Sequence, residues 1–171
     1  MQTSSGIGID LWTGGNLINE GTITGDRTSA LVMRGSTSVT NLGTITGVNG
    51  AFVGLNGQSN VDFVNAGTVA ATDYDDAIQG ARYNNGLVVE GVNARVINTE
   101  TGLITAISSE GAGIFVSGAA GGSLIRNMGA IHSQQSVGVD LRGLGGGESL
   151  VRVQNWGTIS GPVAAVFGSV N

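Results

Sequence analysis

The densest run of chemistry-bearing side chains in this 171-residue sequence is Asp73-Tyr-Asp-Asp76, followed by Arg82, Asn84 and Asn85. Three carboxylates, Asp73, Asp75 and Asp76, beside two amides could ligate Ca2+, which takes six to eight oxygens. Their spacing is neither that of an EF-hand nor that of the glycine–aspartate nonapeptide of calcium-binding β-rolls, and a solvated loop explains the same residues. The single histidine, His132, has no second His and no Cys to partner it in metal or triad chemistry. A base from the acidic loop acting with Arg82 or Arg95 has no motif behind it. No catalytic residue and no cofactor is assigned.

The composition narrows the function classes. Charged residues make up 11% of the chain, the net charge is −5, and there are 31 Gly but one Pro. A net negative chain without clustered Lys and Arg is not expected to bind nucleic acid. A mean hydropathy of +0.21 excludes a disordered tail, so the glycines belong to turns in an ordered structure. No run of about 18 apolar residues is present, so no transmembrane helix is expected. Neither disulfides nor a signal peptide are visible, and Met1 runs almost directly into the pattern described next. A single domain over 1–171, cut from a longer repeat protein, is the expectation.

Six segments carry one degenerate phrase, Asn-x-Gly-Thr-Ile-x-Gly, the last three copies more loosely. They start at Asn19, Asn41, Asn65, Asn98, Asn127 and Asn155, the fourth with two extra residues. Around each lie three short stretches of period-two alternation, the mark of strands with one buried face. The first carries Ile9/Leu11, Leu31/Met33, Val53/Leu55, Leu87/Val89, Ile114/Val116 and Val139/Leu141. The second sets Leu17, Val39, Phe63, Val96, Ile125 and Val153 two residues before each Asn. The third contributes Ile23, Ile45, Val69, Ile104, Ile131 and Ile159. One such unit cannot bury its own apolar face, but stacked units can. The pattern predicts an all-β, right-handed parallel β-helix of about six three-strand rungs. A β-sandwich also uses short strands, but does not repeat one phrase at rung spacing.

In that frame the six Asn point inward and form a structural ladder, and the glycine two residues later supplies a positive φ at a sharp corner. Asp10 and Asp140 share an outward position five rungs apart, about 24 Å at ~4.8 Å per rung, too far for a glycosidase pair at ~5–10 Å. Outward Thr22, Thr24, Thr44, Thr46, Thr68, Thr105 and Thr158 form a broken row that ordinary strand propensity explains. Val32, Phe52, Val88 and Phe115 interrupt the outer face of the first strand. They either pack under a loop or form an interaction face. Insertions fall at 72–85 and at the first corner, which lengthens toward Gly143-Leu-Gly-Gly-Gly-Glu148.

The repeated phrase, followed about ten residues later by a Gly-bounded strand, resembles the passenger regions of bacterial autotransporters and related secreted adhesins. The resemblance covers about Ser5 to Val166 and carries no site residues with it. It implies a β-helix displayed at or beyond a Gram-negative cell surface, hence a non-enzymatic structural or adhesive stem with protein or glycan partners. Unpaired strand edges at both ends lead separately to the expectation that the piece associates end to end or continues into further rungs. The alternative is a carbohydrate-binding or polysaccharide-degrading β-helix. Its groove would lie beside Gly143–Glu148 or Asp73–Asp76, with two carboxylates and an Arg or Lys in one cleft.

Overall fold

Alternation in the sequence becomes alternation in burial. Ser38–Asn41, Asp62–Asn65 and Arg95–Asn98 each run exposed, buried, half-buried, buried, so one side chain in two enters the core. The computed structural model describes residues 6–26, 28–72, 84–108, 110–117, 120–144 and 150–168. It is a parallel β-helix with three strands per rung.

The first sheet holds β1 (Ile9–Leu11), β4 (Ser29–Met33), β7 (Asn49–Val53), β10 (Leu87–Val89), β13 (Ile114–Ser117), β16 (Val137–Gly143) and β19 (Ala164–Phe167). The second holds β2 (Asn16–Asn19), β5 (Ser38–Asn41), β8 (Asp62–Asn65), β11 (Arg95–Asn98), β14 (Leu124–Asn127) and β17 (Arg152–Asn155). The third holds β3 (Thr22–Thr24), β6 (Thr44–Gly47), β9 (Thr68–Ala71), β12 (Leu103–Ala106), β15 (Ala130–Ser133) and β18 (Thr158–Ser160). Each strand pairs in parallel with the one three places on. Six rungs are complete, and β19 begins a seventh.

Registers align the predicted columns. Leu17, Val39, Phe63, Val96, Ile125 and Val153 stand one above another, and the four inner members are fully buried. One pair is shifted: Ala51 and Val53, rather than Val53 and Leu55, stand in line with Leu31 and Met33. Leu55 instead begins a short 3-10 turn, Leu55–Gly57, outside the core column.

The signature glycines are needed for a different reason from the one expected. None of Gly21, Gly43, Gly67, Gly129 or Gly157 has a positive φ. A Cβ at Gly43 would strike Gly21 O, at Gly67 Gly43 O, at Gly129 Gly102 O, and at Gly157 Gly129 O. The corners stack so closely that only a hydrogen fits between a glycine and the carbonyl below. Positive φ belongs to the other corner, two residues before the second strand: Gly14 (80°), Ser36 (55°), Asn60 (58°), Asn93 (54°) and Gly122 (75°). Gly and Asn are the residues that tolerate this left-handed turn.

Candidate functional site

The Asn column is buried and continuous. Asn19 Nδ2 donates to Asn41 Oδ1 at 2.7 Å, and Asn41, Asn65, Asn98 and Asn127 each donate to the next Asn Oδ1 at 2.8 Å. In Asn41, Asn65, Asn98 and Asn127 the second hydrogen of the amide is shared between the corner glycine carbonyl and the next rung. For Asn41 these acceptors are Gly43 O (3.3 Å) and Thr68 O (3.1 Å). Backbone bonds reinforce the corner: the residue after each Asn donates to the carbonyl of the Asn below, as Ala66 N does to Asn41 O at 2.8 Å. Every Asn-to-Asn side-chain link therefore donates the same way, toward the C-terminus, while the backbone bonds beside it donate the opposite way. Asn155, at the exposed end, donates to Gly157 O at 3.1 Å, and Asn19 Oδ1 accepts from Gly21 N at 3.2 Å. A second, shorter device was not foreseen from the sequence. At the third corner Asn49 Oδ1 accepts from Asn85 N, and Asn85 Oδ1 from Ala112 N.

The outward apolar residues do not form an open interaction face. Val32, Phe52 and Val88 are buried, with Phe115 half-buried beside them and Ile7 and Leu55 packed against the cluster. They align in consecutive rungs, and this second apolar cluster is covered rather than presented. Asp73, Asp75, Asp76 and Arg82 lie outside the described residues. Among the described residues no three His, Cys, Asp or Glu gather as a metal site, and no helix is long and apolar enough to cross a membrane. Arg95 faces Asp62 at 3.8 Å with both side chains about half exposed, a pairing that contributes little. His132 points outward and its Nδ1 contacts Ser160 Oγ at 2.9 Å.

Both ends of the first sheet carry an aspartate, an arginine and an aromatic ring. At the N-terminal end Arg34 grips Asp10 through two bonds of 2.8 Å and lies 4.3 Å from the centre of the Trp12 ring. At the C-terminal end Arg142 Nη2 donates to Asp140 Oδ2 at 2.6 Å and Nε donates to Oδ1 at 3.0 Å, while the guanidinium lies 4.9 Å from the Phe167 ring centre. The hydrogen bond to Asp140 holds the Arg142 pKa above its ordinary value, and attraction to Asp140 and Glu110 adds to this against the cost of burial.

Around that second group opens a cleft of about 530 Å3, bordered by Glu110, Phe115, Ser136, Asp140, Arg142 and Phe167 among others. It lies beside Gly143, at the corner where the sequence lengthens. It brings together two carboxylates and one Arg, the grouping named for the carbohydrate alternative. Phe115, Asp140 and Phe167 are outward neighbours in successive rungs. Glu110 and Phe167 carried no signal in the sequence, because neither belongs to the repeated phrase. Comparison with family models, curated proteins and solved structures finds no match to this chain.

Proposed function

We propose that the chain is a non-enzymatic structural and adhesive stem, secreted to or displayed at a Gram-negative cell surface, which extends by stacking rung upon rung. The direction of the Asn column supports this reading most. A column that donates at one end and accepts at the other complements itself head to tail, not head to head. The apolar columns loosen at the same two faces, where Leu17 and Val153 are only partly buried and Val166 is exposed. A further rung, from a second copy or a longer chain, would cover them and complete the ladder. Such a heterologous contact builds open, polar assemblies rather than closed dimers.

The carboxylates do not favour catalysis. Asp140 is buried with both oxygens engaged by Arg142, which leaves no free acid–base pair with Glu110. Antibody raised against the chain should label intact source cells, and external protease should remove the label. Labelling only after permeabilisation would overturn the surface assignment.

A further inference from the structure

The cleft beside Gly143 has a use that the stem reading does not require. We propose that it binds a neutral saccharide residue.

Its walls alternate in character along one outward column: phenyl at Phe115, carboxylate at Asp140, phenyl at Phe167. Two rung steps separate the rings, about 9.6 Å at ~4.8 Å per step. A pyranose has the same mixed character, with C–H faces that pack on aromatic rings and an edge of hydroxyls that donate and accept. Phe167 is 42% exposed and so offers ring surface. Arg142 is pinned along one edge by Asp140, and its side chain is still 58% exposed. Its guanidinium is thus a fixed donor and not a flexible one, which lowers the ordering cost of binding. Glu110 adds acceptor oxygens to the lining, and the cleft volume lies within the ~300–1,000 Å3 usual for small-ligand sites.

Charge selects the sugar class. Glu110 and Asp140 against Arg142 leave a formal charge of −1, so uronates, sialic acids and phosphorylated sugars are disfavoured. The engaged Asp140 makes this a binding site without cleavage.

The test is a glycan array of glucose-, galactose- and N-acetylglucosamine-terminated neutral oligosaccharides, followed by saturation-transfer NMR and product analysis on the hits. At least one neutral glycan should bind and be recovered intact. Phe167→Ala and Arg142→Gln should each weaken it about tenfold or more, while Arg34→Gln, at the other end of the sheet, should not. Phe167 is exposed, so its variant should keep the parent's melting curve. Three outcomes overturn the proposal: no neutral glycan bound at millimolar concentration, equal binding by all three variants, or preference for a lysine-rich peptide or an anionic glycan. Recovery of cleaved product would overturn the binding-only assignment. None of these outcomes bears on surface display.

Discussion

Replacing Gly67 by alanine tests why the signature glycines are there. The added Cβ would strike Gly43 O and stand 2.8 Å from Leu42 C and 2.9 Å from Gly43 N, all backbone of the rung below. Backbone cannot swing aside as a side-chain tip can, so the rungs must part by about 1 Å to restore ordinary contact. Gly67 N to Asn41 O (3.0 Å) and Thr68 N to Gly43 O (2.9 Å) cross that gap, and the parting takes both out of hydrogen-bond range. The two bonds cost about 1 kcal/mol each, the overpacking about 1–3, and a stiffer unfolded chain returns about 0.4–1. The net expected loss is about 2–4.5 kcal/mol.

Gly21 is the control. It occupies the same corner of the first rung and an added Cβ would meet nothing within 4 Å. Gly21→Ala should therefore be neutral or gain up to about 1 kcal/mol. Urea unfolding followed by far-UV circular dichroism reads both variants, with the m-values compared to confirm a common transition. Equal midpoints, or a Gly67→Ala loss below about 0.5 kcal/mol, would refute close approach as the reason for these glycines.

Asn65→Ala should cost about 2–5 kcal/mol, because Asn41 loses its acceptor and Asn98 its donor in a buried column. Asn155→Ala, at the exposed end, should cost under about 1 kcal/mol, and thermal melts of the pair check the contrast. Ser36→Gly should gain about 0.5–1 kcal/mol by relieving a left-handed residue, whereas Gly122→Ala should lose about 1–2 kcal/mol at φ +75°. Denaturant midpoints that move the other way would refute the assignment of that corner. In analytical ultracentrifugation the parent chain should sediment faster as concentration rises, and Ile159→Arg, which charges the C-terminal core column, should abolish this. A parent that stays monomeric at high concentration would refute head-to-tail stacking.

Much of the fold was legible because a solenoid writes its registers into the sequence. Phe63 and Val96 sit two residues before an Asn, and they pair for that reason. The seventh strand of the first sheet, Ala164–Phe167, was not legible as a separate rung because rungs were read from the Asn phrase and this strand lies after the sixth one. Val32, Phe52 and Val88 were legible as outward, with packing under a loop one of two readings left open, since the choice depends on packing between segments far apart in the chain. The left-handed corner hid behind varied residues, Gly14, Ser36, Asn60, Asn93 and Gly122, which share a backbone state and not a side chain. The cleft was legible only as a place, the Gly143 corner. Its members come from different rungs and are joined by stacking alone.

The one-way Asn column has a consequence for how the molecule unfolds. Each amide polarises the next, so a bond in a long row is stronger than the same bond alone. Solenoid stability is ordinarily a sum of rung energies and nearest-neighbour contacts. Here the dipoles of Asn19 through Asn155 add along the axis, and rungs that never touch are coupled through the field they share. Interrupting the row at its midpoint should weaken links two rungs away, and fraying should spread inward from the ends as one cooperative event.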